Sequence, residues 1–297
     1  MARPKSVKMA ALNIKTLNEH GQSFYPDLFW AVATSHLHVP MRGDNHIGLG
    51  RLQLSQDAKE GRQPFFGSIA RFTSIDKNKE WFDSQKWDTA NPSDLPEGLS
   101  TLSERYHPNR EIDSYIFDPL SHIMVIASKT APSVLQRGLS RLFNEKKFQV
   151  RFGGILVEVV KNQDKVQEIL KIDELKSLRI KFSLPNPDEL SAEADKLFKE
   201  FQAVGVGQVE HNEKAAPGKK MEILPSTRTM LELTVENGRA IGKGFVKGKE
   251  TVIDTKDHPY YFRVEVASDD EIPAAVKSHA PKILETLRER RSGNLVR

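Results

Sequence analysis

The chain has 297 residues, of which 38% are hydrophobic and 28% charged, a composition typical of an ordinary globular protein with one or two domains. It contains no cysteine, which excludes disulfides, thiolate zinc sites, iron–sulfur clusters and thiol catalysis. The net charge of +4 excludes a histone-like polycation, so any nucleic-acid binding has to use local basic patches.

The N-terminus and the hydropathy pattern predict a cytoplasmic protein with no membrane contact. No apolar run of the length of a signal peptide follows Met1. No stretch approaches the ~20 apolar residues that a transmembrane helix requires. The lack of cysteine also fits a reducing compartment.

Residues 1–128 are predicted to form a first domain of mostly antiparallel strands. The apolar alternation indicates strands, and a slip between Gly50 and Arg51 predicts a β-bulge. Strands are expected at 5–16, 45–55 and 64–75, a helix at 24–38 and a hairpin at 113–128. Residues 76–110 show no period and are predicted to be a long irregular excursion.

Residues 129–297 are predicted to form a second, mixed α/β domain with a C-terminal helix, which makes the fold class α+β. Helix 132–146 is followed by a βαβ-like run of strand 154–160, helix 162–172 and strand 177–184, and helix 188–203 comes next. An exposed link at 205–221, a helix or strand at 227–236, a hairpin at 237–253 and a strand at 259–266 follow. Helix 273–291 is expected to be kinked or divided by Pro281.

Two sets of residues could support catalysis. The first is His36, His38, Asp44 and His46, and the second is Asp254, Asp257 and His258. These residue types bind metals and transfer protons, which allows a metal-dependent nuclease. Turn and surface positions explain both sets as simply, so we assign no catalytic or metal site and favour a protein that is not an enzyme. Neither glycine-containing segment matches a nucleotide-binding fingerprint, and no cofactor is expected.

The charge is distributed unevenly along the chain. Residues 137–181 carry eleven Lys and Arg against six Asp and Glu, whereas residues 185–213 carry two lysines against seven acids. Positive patches attract phosphates regardless of base sequence, although a merely solvated surface explains them too. The candidate nucleic-acid contacts are Arg137, Arg141, Lys146, Lys147 and Arg151, followed by Arg288, Arg290 and Arg291. The helix dipole favours cations near a helix C-terminus, so the last three can also be explained without a ligand.

Several motifs resemble an uncharacterised bacterial family of unknown function. They are AALNIKT near the start, RGDNHIG at 42–48, FGSIARFTSIDKNKEWF at 66–82, and VENGRAIGKGF with DTKDHP within 235–259. These motifs carry no assigned chemistry. The family is similar in setting to genes of mobile-element defence neighbourhoods, which implies a role in defence.

A second resemblance concerns architecture alone. The order of elements from 132 to 188 is similar to the middle of the phage-exclusion protein RexA and looks like the B component of the Kiwa anti-phage system. That resemblance implies a homo-oligomeric protein that binds double-stranded DNA as a sensor or effector of phage defence. It transfers no binding residue. The acidic segment 185–213 also allows a neighbour-encoded protein partner, which would make the chain an interaction subunit of a defence complex.

Overall fold

A computed structural model describes residues 4–16, 18, 20–74, 81–83, 88–90, 107–184, 199–201 and 203–291. The strands are β1 (Lys5–Thr16), β2 (His38–Arg42), β3 (Asn45–Gln53), β4 (Phe65–Thr73), β5 (Trp81–Asp83), β6 (Asp88–Ala90), β7 (Glu111–Asp118), β8 (Ile123–Ala127), β9 (Ile155–Val159), β10 (Glu174–Ser183), β11 (Gln208–Lys214), β12 (Gly238–Val246), β13 (Lys249–Asp254) and β14 (Tyr261–Val266). The helices are α1 (Phe24–Thr34), α2 (Gln56–Lys59), α3 (Pro132–Phe143), α4 (Lys146–Phe152), α5 (Gln163–Leu170), α6 (Pro225–Asn237) and α7 (Ile272–Arg291).

The larger sheet is antiparallel throughout and has the strand order β14-β1-β8-β7-β4-β3-β2. β1 is long enough to pair with two strands along one edge, β14 through its first half and β9 through its second. β9 and β14 lie beyond residue 128, so residues from both predicted domains build this one sheet. The predicted α+β fold is confirmed.

β1 is buried on both faces of the larger sheet, and its alternating side chains belong to two separate cores. Val7, Met9 and Ala11 face the core beneath α7, whereas Leu12 and Ile14 face the core of α1, α3 and α4. Because successive side chains of a strand point to opposite faces, one strand can serve both cores. Burial of apolar area on both faces therefore holds the sheet between two helical layers.

The larger sheet curls around α3. This helix contacts both β2 and β9, which lie far apart in the strand order. Its buried stripe consists of Leu135, Leu139 and Leu142 at helical spacing. Gly138 lies between them, and a Cβ there would come within 2.8 Å of Met41 Cγ, so glycine permits the close approach of the helix to the sheet.

The smaller sheet has the order β11-β10-β12-β13 and packs one face against α5 and α6. Ile169 of α5 lies over Gly242 of β12, where a Cβ would come within 2.8 Å of Ile169 Cγ2. The opposite face carries the polar residues of the β10 alternation, including exposed Arg179 and Lys181. Gly242 thus allows α5 to pack closely on the smaller sheet.

The predicted strand β1 is confirmed with its bounds, and β4, the β7–β8 hairpin and the β12–β13 hairpin are confirmed with shifted bounds. The bulge near Gly50 is confirmed by a register shift between Leu49 and Leu52. The strand, helix and strand predicted between 154 and 184 are present as β9, α5 and β10, but they do not form a βαβ unit, because β9 pairs antiparallel with β1 while β10 belongs to the smaller sheet. Most of the predicted excursion 76–110 and most of the predicted helix 188–203 lie outside the described residues.

Three other differences have physical causes. The predicted helix 132–146 ends at 143, and α4 follows it because Asn144 turns the chain by two hydrogen bonds with the backbone of Ile155. The predicted link 205–221 contains β11, a polar strand that forms because it pairs with β10. α7 is not divided at Pro281, because its apolar residues pack on the sheet on both sides of the proline. No helix of the described chain is long and apolar enough to cross a membrane.

Candidate nucleic-acid interface

Five basic side chains lie exposed on two consecutive helices. Arg137 and Arg141 lie one turn apart on the outer side of α3, and Lys146, Lys147 and Arg151 project from α4. We call these five residues the α3–α4 surface. The only acidic residue of the sequence between positions 137 and 151 is the half-buried Glu145. The surface is thus strongly positive over a short distance.

The contacts of these side chains leave much of the charge available. Arg141 donates a 2.8 Å hydrogen bond to the carbonyl oxygen of Pro40, and it thereby ties α3 to β2. The Lys147 ammonium and the Arg151 guanidinium lie 4.9 and 4.8 Å from the ring centroids of Phe148 and Phe152. Arg137 and Lys146 make no hydrogen bond or ion pair with any described residue.

A cavity of about 580 Å³, open to solvent on one side, adjoins the α4 end of this surface. Loop 20–23 and the start of α1 form one wall, and residues 149–153 form the other. Gly153 ends α4 with φ +73° and ψ −165°, a region that is essentially restricted to glycine. A Cβ there would also come within 2.2 Å of Asn18 Nδ2, so any other residue would displace the Asn18 amide.

The C-terminal arginines of the sequence prediction have intramolecular contacts. Arg288 forms an ion pair at 2.5 Å with Asp118, whose side chain is fully buried. The guanidinium of Arg290 lies 4.8 Å from the ring centroid of Tyr260. Arg291 ends α7, and its side chain is outside the described part of the chain. Packing of α7 therefore accounts for Arg288 and Arg290, and nucleic-acid contact by this group stays a prediction.

The structure brings together two histidines of the first catalytic candidate set, His38 and His46. His38 and His46 lie on neighbouring strands with their Nδ1 atoms 2.9 Å apart, and burial together with His107 lowers the pKa of His38. His36 instead lies exposed in the turn before β2 at φ 52°, and Asp44 lies in the turn between β2 and β3.

His107 completes this cluster and was missed by the sequence analysis. Its ring stacks on Phe72 at 4.4 Å and lies 5.4 Å from the ring of His38. No local pattern connects residue 107 with residue 38, since only the pairing of distant strands brings them together. Among the described residues, no group of three or more His, Asp or Glu side chains could hold a metal ion.

The second catalytic candidate set shapes a turn. Asp254 forms an ion pair with Arg239 and accepts a 3.0 Å hydrogen bond from the backbone N–H of Lys256. Burial would raise the pKa of Asp254, but the hydrogen bond from Arg239 outweighs burial and the pKa is lowered. Asp257 ends a short 3₁₀ turn, and the carbonyl of His258 accepts a 2.9 Å hydrogen bond from Asn162. These residues join β13 to β14, whereas the histidines lie at the β2 end of the larger sheet. The two sets do not form one site.

A buried polar junction, also missed by the sequence analysis, connects the two sheets. It consists of Asn13, Lys15, Glu158, Lys161, Ser183 and Asn237. The Lys15 ammonium is fully buried and donates to Asn237 Oδ1 and, at 3.4 Å, to the carbonyl of Ser183. Burial lowers the pKa of Lys161 to about 8. Burial also raises the pKa of Glu158, and the positive charges of the nearby lysines partly oppose that rise. The only sequence signal was a lysine in the apolar alternation of β1.

Comparison with curated proteins finds no match for the chain. Residues 5–280 match the family of DUF4747, a domain of unknown function, and the match spans both sheets, the α3–α4 surface and the first part of α7. The family motifs described above lie within these bounds. The match covers far more than half of the sequence, and the chain therefore belongs to the DUF4747 family.

Proposed function

We propose that the protein binds nucleic acid, double-stranded DNA included, through phosphate contacts of the α3–α4 surface. The observation that carries the proposal is the concentration of five exposed cations on α3 and α4 with one intervening acid. Arg137 and Lys146 have no partner among the described residues, so binding a phosphate would break no internal ion pair of theirs. Such contacts read no base sequence and release condensed counterions, so binding is expected to be salt-sensitive.

The direct test removes three cations of the α3–α4 surface, of which only Lys147 has a described contact, the one with the ring of Phe148. The variant Arg137→Ala/Lys146→Ala/Lys147→Ala is compared with the wild type by fluorescence anisotropy of a labelled 20-base-pair duplex over a salt series. We expect about tenfold weaker binding at low salt, and a slope of log affinity against log salt that is smaller by about 0.9 for each lost contact.

A matched control removes the same charge elsewhere. Lys214, Lys243 and Lys249 are exposed on the smaller sheet, and their triple alanine variant is expected to bind DNA within about twofold of the wild type. Equal weakening by both triple variants would show that net charge rather than the α3–α4 surface matters. Failure of the wild type to bind at low salt would overturn the proposal outright.

A role in phage defence, with a homo-oligomer and a neighbour-encoded protein partner, is supported by the resemblance of motifs and element order alone. If DNA binding serves such a role, bacteria that express the wild-type chain with its neighbouring genes should form fewer phage plaques than bacteria that express the Arg137→Ala/Lys146→Ala/Lys147→Ala variant. Equal plaque counts at equal protein levels would argue against the defence role while leaving DNA binding intact.

A further inference from the structure

The cavity beside α4 has the size of a ligand site and lies next to the cations of the α3–α4 surface. Its volume of about 580 Å³ falls within the ~300–1,000 Å³ typical of small-molecule sites. Arg151 belongs both to the α3–α4 surface and to the cavity lining. A ligand in the cavity that carries a phosphate could therefore be held by the same charge that attracts a nucleic-acid backbone.

The cavity walls combine aromatic rings with side-chain amides. The rings of His20 and Phe24 stack at 4.8 Å with an interplanar angle of 24°, and Phe152 meets Phe24 edge-on at 5.7 Å. Asn18 and Gln149 contribute amide groups to the lining. Aromatic faces suit the flat surface of a nucleobase, and amide donors and acceptors suit its hydrogen-bonding edge. A ligand that consists of phosphate alone would need neither the aromatic faces nor the amide groups.

Two large apolar side chains are exposed on the helices that line the cavity. Val150 is 84% exposed on α4, and Trp30 is 52% exposed on α1. Trp30 follows the cavity-lining Asp27 by three positions, so it lies on the same side of α1 one turn further on. An exposed tryptophan on the helix that lines the cavity could provide a platform on which a second base stacks.

We propose that the cavity takes the base of an unpaired nucleotide while Arg151 holds its phosphate. This inference rests on the proposed nucleic-acid binding and makes single-stranded segments or strand ends the preferred ligand. The bases of an intact duplex are stacked and paired, so they cannot enter a cavity in the protein without being flipped out. The α3–α4 surface would bind both forms through their phosphates, and the cavity would add affinity for the single strand alone.

The test fills the cavity and compares two forms of one sequence. Ser23 lines the cavity and makes no side-chain capping bond to α1, so Ser23→Leu adds bulk without removing a helix cap. Binding of a labelled 12-nucleotide single strand and of the corresponding duplex is measured by anisotropy at low salt. We expect about tenfold weaker binding of the single strand, the loss of roughly one stacked base, and a change below twofold for the duplex.

Two further variants control for folding and for the substitution itself. Gln149→Leu removes an amide from an exposed position of α4 and is expected to weaken single-strand binding in the same way if Ser23→Leu fails to fold. Ser226→Leu makes the matched change at an exposed serine of α6 and is expected to leave binding of both forms unchanged. Deoxynucleoside monophosphates should compete with the single strand for the wild type.

The possible failures can be told apart. If the wild type binds duplex and single strand but both cavity variants affect the two forms equally, or neither form, the cavity inference is wrong and the proposed function stands. If the wild type binds neither form at low salt, the proposed function fails and this inference fails with it.

Discussion

Replacement of Lys15 by alanine is expected to lower the free energy of unfolding by about 3–4 kcal/mol. The ammonium is fully buried where β1 meets the smaller sheet, and it donates to Asn237 Oδ1 and to the carbonyl of Ser183. Alanine would leave that carbonyl without its donor and a cavity in place of the side chain. It would also remove a positive charge that favours ionised Glu158.

Lys15→Met separates packing from charge. Methionine fills nearly the same volume but donates no hydrogen bond, so we expect it to cost about 1–2 kcal/mol, less than alanine. Urea unfolding of the wild type and the two variants measures all three free energies, and similar m-values would show that the denatured state is comparable. A methionine variant more stable than the wild type would mean that the cost of burying the ammonium exceeds the value of its hydrogen bonds.

Removal of the Asp118 carboxylate is expected to have the second large effect, about 3 kcal/mol for Asp118→Ala. The carboxylate lies at the end of β7 and accepts hydrogen bonds from the backbone N–H groups of Leu120 at 3.3 Å and Ser121 at 3.1 Å. It also forms an ion pair with Arg288 of α7. One buried group therefore holds both the β7–β8 turn and the end of the helix that covers the sheet.

The partner variant Arg288→Ala is expected to cost only about 1 kcal/mol, because the Arg288 side chain is 45% exposed and the carboxylate keeps its turn donors. A double-mutant cycle by thermal or urea unfolding gives the coupling between the two residues. The same Arg288→Ala protein tests the sequence prediction for this arginine in the duplex anisotropy assay. Unchanged stability together with weaker DNA binding would assign Arg288 to the ligand instead of to the fold.

Residues with a local periodic signal were predicted well. The strand that the alternation predicts at 64–75 is found as β4, Phe65–Thr73. The alternation of β1 and the slip near Gly50 behave likewise. Local patterns succeed here because the side-chain period of a helix or a strand is set by backbone geometry, whichever element it later packs against.

Residues that depend on distant pairing were not predicted. His107 joins His38 only because residue 107 lies where the chain returns beside the β3–β4 part of the sheet. β9 and β10 are close in the chain but belong to different sheets, since β1 offers β9 a free edge. Cross-strand partners are chosen by which edges and apolar faces remain unpaired, and no short window of sequence contains that information.

By itself the sequence determined the composition class, the α+β element content, the uneven charge and the five cations now found exposed on α3 and α4. Each of these depends on residue type or on the local period of the backbone. Tertiary structure alone decided that the buried Lys15 of β1 connects the two sheets and that Arg288 forms an ion pair with Asp118. It also decided that loop 20–23 meets α4 and forms a cavity beside Arg151. These features require chain segments far apart in sequence to approach, and burial of both faces of one sheet is the physical cause that brings them together.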